Sequence, residues 1–433
     1  MPNKQEPQSY CDLPFNHQYV HMSGSLRLCC ATLQNVDSHG RLMNMSTDTL
    51  ESAWNSDYMK RARLDMKNGK VLDACSKCVQ QEERGYGSMR VTVNKEKNLG
   101  NLADDGSISF PSSMELHFGN MCNLKCKMCG QDYSNQVGKE ILEIGEKDQK
   151  FLQWVRQQSG NVNNWTNDLS VEYTWFKDHS VKKQLLDYVS KHITTLTVIG
   201  GEPTIINEFY ELLNHCDEQG TLGGKSITIV TNLTNTNNKM TQWLPKMKDW
   251  TIWASVDGIG EITEYIRYPS NYKKVTSNLK YYKDLMDTHG NGKIVFSPAV
   301  QLLNIHQLDD MLKMFINFSQ GGWQDRTKYD VSWLSQVWYP RICNYDVAPK
   351  EYRSAVANKL AESVQFFDQH SNIKYFYRKQ IENLNTDFLD TLTEKNLQQA
   401  FVRYNDTQDR HRQGKTWREL LPDLESALTK SLS

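Results

Sequence analysis

Residues 114–129 read MELHFGNMCNLKCKMC. Met114 to Phe118 has the character of a β-strand. The run that follows places Cys122, Cys126 and Cys129 on one short loop. Three thiolates so spaced can ligate three irons of a 4Fe–4S cluster and leave the fourth iron without a protein ligand. An iron left open in this way is what a chelating cofactor needs. The competing reading is a zinc site with His117 as a fourth ligand. Zinc knuckles usually come as two short pairs with a long spacer, which this triplet is not.

Working outward, strands alternate with helices. Strands are expected at Met114–Phe118, Thr195–Ile199, Ser226–Thr231, Thr251–Ser255, Lys293–Ala299 and Tyr329–Ser335. Helical spacing covers Lys182–His192, Asn207–Gln219, Thr241–Lys248, Tyr272–Thr288 and Leu308–Phe318. Crossovers of this length imply parallel strands and an α/β fold. Six such units suit a partial or closed barrel, and an open doubly wound sheet also satisfies the pattern. The stretch at about 131–190 reads as an insertion, rich in aromatic residues. Three regions are expected: 1–110, a cysteine-rich module; 111–342, the strand–helix domain; and 343–433, a helical region. Within the first, Gly24 to Ala31 reads as a strand and Thr49 to Leu64 as a helix. In the last, helices are expected at Glu351–His370 and Tyr375–Leu392, with 406–415 as a charged, solvated turn.

Composition bounds the function. The 433 residues carry 50 basic and 51 acidic side chains, a formal net charge of -1, so no general electrostatic demand for nucleic acid or an acidic membrane exists. No apolar run approaches the ~18 residues that span a bilayer, and the first residues lack signal-peptide architecture. A cytoplasmic location is expected. The ten cysteines are too dilute for a disulfide scaffold, and eight lie in the first third of the chain. Clustered cysteines in a reducing compartment point to metal or catalysis. Cys75 and Cys78 form a second short-gap pair, while Cys216 and Cys343 read as packing residues.

The triplet resembles the signature of the radical S-adenosylmethionine (SAM) superfamily, and further residues match that family in order. The second strand ends in Gly200-Gly201-Glu202-Pro203, which resembles the family motif that holds the methionyl amine of SAM. The third ends in Thr231-Asn232, and the fourth in Ser255-Val256-Asp257-Gly258, with Arg267 downstream. The resemblance implies a partial (β/α)6 barrel. It implies that Gly200, Gly201, Glu202, Pro203, Asn232, Ser255, Asp257 and Arg267 bind the cofactor, with Ser255 and Arg267 on its ribose or carboxylate and Asp257 a candidate catalytic group. Gln301 and Asn304 are weaker candidates near the end of the fifth strand. All sit at strand C-terminal ends, where barrels place their chemistry. Met128 stands where many relatives carry an aromatic residue.

Cys11, the Gly24-x4-Cys29 spacing, Cys75 and Cys78 resemble the SPASM/twitch auxiliary-cluster module. The resemblance implies one closed auxiliary 4Fe–4S cluster on Cys11, Cys29, Cys75 and Cys78. The glycine spacing selects Cys29 over Cys30. In better-known relatives this module follows the barrel, and here it precedes it. A four-cysteine zinc site is the alternative for these residues.

The implied function is reductive cleavage of SAM at the open cluster to a 5′-deoxyadenosyl radical, which abstracts a substrate hydrogen. Relatives of this kind modify peptides, and some modify small molecules. A one-electron donor such as flavodoxin or ferredoxin is the implied partner. The rival reading is a non-catalytic, zinc-stapled interaction protein. Trp165, Tyr173 and Trp175 cluster where a substrate could stack. Glu82, Glu83, Arg84, Gly85, Ser88 and Arg90 read as a charged turn, and the basic residues from Arg410 to Arg418 as a solvated face. Gly224-Lys225-Ser226 precedes a strand instead of opening a helix, so it is not a phosphate loop.

Overall fold

The computed structural model describes residues 9–32, 36–83, 88–94, 100–159, 168–236, 239–332, 334 and 336–433. Trp165, Arg84 and Gly85, singled out above, lie outside the described residues. The chain groups into two compact units. One contains residues up to Met121, with 172–229 and 242–249, and the other contains 122–171, 230–241 and 250–433.

In the first unit, β1 (His17–Val20) pairs antiparallel with β2 (Leu26–Arg27) and parallel with β3 (Ser113–Phe118). β3 runs parallel to β4 (Thr195–Gly200), which runs parallel to β5 (Ser226–Thr231). The second unit carries β6 (Asp249–Ala254), β7 (Gly292–Phe296) and β8 (Tyr329–Val331), all parallel. There the Ser255 amide donates to Thr231 O at the end of β5, at 3.0 Å. The expected strand–helix alternation is present and the sheet is open, an α/β architecture of the partial-barrel kind. The fifth and sixth strands are shorter than their apolar runs, ending at Phe296 and Val331.

The N-terminal module differs more from its reading. β1 was not expected, and the apolar stretch from Gly24 forms only the two-residue β2. The single helix expected over 49–64 is two, Leu50–Trp54 and α1 (Asp57–Lys67). Ser56 interrupts it because its hydroxyl caps α1, accepting from the Met59 amide. Within the insertion lie α2 (Asn135–Lys147) and α3 (His179–His192). α4 (Asn207–Glu218), α5 (Tyr272–His289) and α6 (Leu308–Phe318) are the helices expected after the second, fourth and fifth strands. The tail holds Lys350–Glu362, Lys374–Leu384 and a long helix, α7 (Thr391–Asp409), that was not expected. Its polar residues obscure its period, since its buried face includes Gln398, Asn405 and Gln408 beside Phe401 and Tyr404.

Alternation along β3 decides the faces. Met114, Leu116 and Phe118 are buried, and Phe118 meets Phe176 and Phe209 with ring centroids 5.5 and 6.1 Å apart. Glu115 and His117 lie on the opposite face of the pleat. Lys225, read as no phosphate ligand, is buried. Its ammonium donates to Val189, Ser190 and Ile193 carbonyls at 2.9, 3.2 and 2.6 Å, closing the C-terminal end of α3. Among the described residues no helix is long and apolar enough to cross a membrane. Lys225→Met should cost about 1–3 kcal/mol of unfolding free energy through these orphaned carbonyls. Chemical denaturation measures it, and an unchanged midpoint would show the cap to be idle.

Candidate cluster and cofactor site

The cysteine loop is held mainly through its backbone. Lys125 and Lys127 amides donate to the Tyr268 and Ile266 carbonyls at 2.6 and 2.8 Å, and Ser134 Oγ donates to Leu124 O at 2.6 Å. Leu124 fills the core beneath. Asn232, at the end of β5, directs its amide to Asn123 Oδ1 at 3.0 Å and toward Cys122 Sγ at 3.9 Å. Asn123 donates in turn to Thr234 Oγ1 at 2.7 Å. A thiolate held near amide donors is a stabilised one.

Cys126 is buried, while Cys122 and Cys129 are partly exposed. Cys126 and Cys129 share a hydrogen bond, which pulls the Cys126 thiol below its ordinary value and pushes Cys129 up. The Arg267 guanidinium favours the thiolate form of both. Burial opposes the Arg267 charge, but the neighbouring Asp257 carboxylate holds it above the usual guanidinium range. Three thiols on one loop, two of them beside a cation that favours their ionised form, suit a group that takes thiolates. Among the described residues no three His, Cys, Asp or Glu converge as for a single metal ion. Thiolates that each ligate a different iron of a cluster need not converge on one point.

Asp257 is enclosed. Its Oδ1 accepts from the Ala299 amide at 2.8 Å and its Oδ2 lies 2.7 Å from Arg267 Nε. Asn304 donates to the Asp257 carbonyl at 2.8 Å and accepts from the Gln301 amide at 2.7 Å. Asp257 and Asn304 therefore tie the ends of β6 and β7 to Arg267. The Gln301 side chain is fully buried, and among the described residues neither of its amide atoms has a hydrogen-bond partner.

In the first unit, the Gly201 amide donates to Gly119 O at 3.1 Å and the Glu202 amide to Met121 O at 2.9 Å. The glycine-rich turn is thus laid against the three residues that lead into Cys122. A Cβ on Gly201 would fall 2.1 Å from Met121 O. The glycine is required by its own chain as well as by any ligand. Glu202 Oε1 accepts from the Thr204 amide and hydroxyl at 3.1 and 2.6 Å, capping the turn that Pro203 opens.

Cys11 and Cys78 are buried, while Cys29, Cys30 and Cys75 are half-buried. Burial pushes the Cys11 thiol up to about 12, and the charges of Cys29, Cys75 and Cys78 add to it. Burial and the Cys29 charge raise Cys75 to about 11, while Arg90 opposes them. These four thiols thus act on one another. Cys30 is raised by burial, by Glu115 and by Cys29. Of the expected charged turn, Glu82, Ser88 and Arg90 form a buried or half-buried network instead of a solvated face. Arg90 is 1% exposed and pairs with Glu82 at 2.6 Å, and Glu82 also accepts from Ser88 Oγ at 2.5 Å. Trp175, expected to stack on substrate, is buried in the core. A Cβ on Gly24, whose φ is +79°, would fall 3.0 Å from its ring, and its indole N–H donates to Met22 O at 3.0 Å. Tyr173 donates through its amide to Asn120 Oδ1 at 3.0 Å.

Sequence reading offered His117 only as a zinc ligand and passed over Glu115; the two are joined at 2.7 Å, with Tyr19 edge-on to His117 at 5.2 Å. Alternation along β3 was the available signal for Glu115. Cys343 is buried as expected, but its thiol donates to Lys127 O at 3.4 Å.

Two substitutions test this geometry. Gly201→Ala should displace the Met121 backbone and lower iron retained after reconstitution at least several-fold, read by iron analysis at matched folding. Asp257→Asn should cost about 3–5 kcal/mol by leaving Arg267 buried without its carboxylate. A denaturation midpoint equal to wild type would contradict that role.

Comparison with known proteins accords with this geometry. Residues 116–315 match the radical SAM superfamily, and residues 11–79 match the SPASM iron–sulfur cluster-binding domain. No curated protein matches the chain. Among solved structures it is similar to native anSMEcpe with bound AdoMet, at 16% identity and TM-score 0.35, covering 58% of this chain and 60% of that one. It is also similar to Streptococcus suis SuiB, at 14% identity and TM-score 0.34, covering 76% of this chain and 66% of that one. SuiB bound to precursor peptide SuiA matches at 15% identity and TM-score 0.33, with 76% and 66% covered. The chain thus spans 60 to 66% of the length of these structures. The protein carries a radical SAM superfamily domain, which binds a 4Fe–4S cluster and SAM, preceded in the chain by a SPASM iron–sulfur cluster-binding domain.

Proposed function

We propose that this protein is a radical SAM enzyme whose substrate is a peptide or protein side chain. The observation that carries the reading is the loop of Cys122, Cys126 and Cys129, its backbone pinned at Lys125 and Lys127 and the thiolate forms of Cys126 and Cys129 favoured by Arg267. A cluster held there by Cys122, Cys126 and Cys129, once reduced by a one-electron donor, would supply the electron for reductive cleavage of SAM to methionine and a 5′-deoxyadenosyl radical that abstracts a substrate hydrogen.

The chain's own residues have separable tasks in this reading. Cys122, Cys126 and Cys129 hold the cluster and leave one iron free. Gly200, Gly201, Glu202 and Pro203 present backbone and carboxylate acceptors to the methionyl ammonium. Ser255, Asn232 and Arg267 bind the remaining polar groups of SAM. Asp257 is a positioning residue, since both its oxygens are engaged inside the protein. Cys11, Cys29, Cys75 and Cys78 hold the auxiliary cluster. Cys29 is preferred over Cys30 by the Gly24-x4-Cys29 spacing. The peptide class rests on the pairing of the two modules.

Anaerobic reconstitution with iron and sulfide tests the reading against a zinc-stapled protein. A brown protein that forms 5′-deoxyadenosine from SAM under dithionite is expected; a colourless zinc protein that forms none would overturn it. Cys126→Ala should abolish deoxyadenosine formation. Cys78→Ala should lose iron yet retain some cleavage. If Cys126→Ala cleaves SAM at the wild-type rate, the loop is misassigned.

A further inference from the structure

Residues 391–433 lie beyond both matched segments. The end of α7 and the residues after it nevertheless bear directly on the cysteine loop. Lys127, between two of the cysteines, is 1% exposed. Its ammonium donates to Gln408 Oε1 at 2.8 Å, lies 3.8 Å from Asp409 Oδ1, and sits 4.2 Å from the centroid of the Tyr265 ring. Tyr265 Oη donates to the same Asp409 oxygen at 2.8 Å. Arg412, expected on a solvated face, is largely enclosed. It donates to Lys125 O at 2.7 Å and to both oxygens of buried Glu140 at 3.0 and 2.6 Å. Gln408 Nε2 also reaches Glu140, at 3.3 Å.

Two buried basic groups, Lys127 and Arg412, thus sit with two carboxylates, Asp409 and Glu140, around one loop, and Lys125 Nζ lies 3.7 Å from Glu140. Burial and the Arg412 charge push the Lys127 ammonium pKa down, and Asp409 and Glu140 oppose them. Burying four charges is costly and gains little net stability over apolar packing. What the arrangement does supply is a fixed local charge beside a group that changes charge on reduction. A reduced cluster is one unit more negative, so a nearby cation favours reduction and a nearby anion opposes it, most strongly where water is excluded.

We propose that Gln408, Asp409 and Arg412, at the end of α7, clamp the cysteine loop and set the reduction potential of the cluster through the Lys127–Asp409 pair. The inference rests on reading that loop as the cluster site. Arg412 holds the backbone at Lys125. Gln408 and Asp409 hold the Lys127 ammonium in one place and balance its charge. All are positioning residues.

The test uses the full reconstituted chain. A redox titration follows, by electron paramagnetic resonance, the cluster signal that added SAM perturbs. Lys127→Met should lower its midpoint, Asp409→Asn should raise it, and Lys127→Arg should stay near wild type. Shifts of opposite sign are what a merely structural role would not produce. Arg412→Gln should lose the SAM-perturbed signal to a chelator several-fold faster than wild type. If Lys127→Met does not fold, the rise in Asp409→Asn still decides the question. Midpoints that are unshifted or shifted in the same direction overturn this inference alone. Absence of any SAM-perturbed signal in the wild-type chain overturns the cluster reading, and this one with it.

Discussion

The backbone around the cysteine loop is held by hydrogen bonds from the turn after β4 and from the end of the helix Glu261–Ile266. Before Cys122, the Glu202 amide donates to the Met121 carbonyl at 2.9 Å. After it, the Lys125 and Lys127 amides donate to the carbonyls of Tyr268 and Ile266. A loop that must present three thiols in one arrangement cannot depend on flexible side chains. Backbone pairing supplies positions that rotamer changes cannot loosen. This explains why the glycine-rich turn admits no side chain at Gly201 and why the segment after Asp257-Gly258 returns to the loop at Ile266.

A second constraint is electrostatic. Arg267 pairs with Asp257, Arg412 with Glu140 and Arg90 with Glu82, each largely removed from solvent. Such pairs are poor sources of net stability, yet removing one partner strands the other. They hold cations in fixed places near cysteines. Arg267 favours the thiolate forms of Cys126 and Cys129, and Arg90 acts likewise on Cys75. A thiolate is the form that ligates iron, so fixed cations near these thiols favour ligation.

Much of the fold was legible in the sequence. Buried parallel strands make continuous apolar runs, and the six runs from Met114 onward each contain a strand. Their ends were less legible: β7 and β8 end at Phe296 and Val331, while beyond them isolated pairing continues, as between Val300 and Gln336. β1 was missed because Gln18 and His17 break its apolar character. Gln18 is nevertheless buried, with its amide donating to Leu50 O at 3.1 Å and accepting from Tyr188 at 2.8 Å. Buried polar residues satisfied by distant partners look like surface to a reading of periodicity. The same reason hid α7 and Arg412.

The sequence by itself determined which residues can do the chemistry. A triplet of cysteines, a glycine-rich turn and a second cysteine set declare their chemistry by type and spacing, because ligand count and reach are local properties. Tertiary structure alone decided what those residues are held by. It made Asp257 an enclosed partner of Arg267, placed Trp175 in the core against Gly24, and brought Gln408, Asp409 and Arg412 to a loop more than 270 residues earlier in the chain. Contacts of that separation leave no periodic or local signal, since they depend on how the packed elements meet.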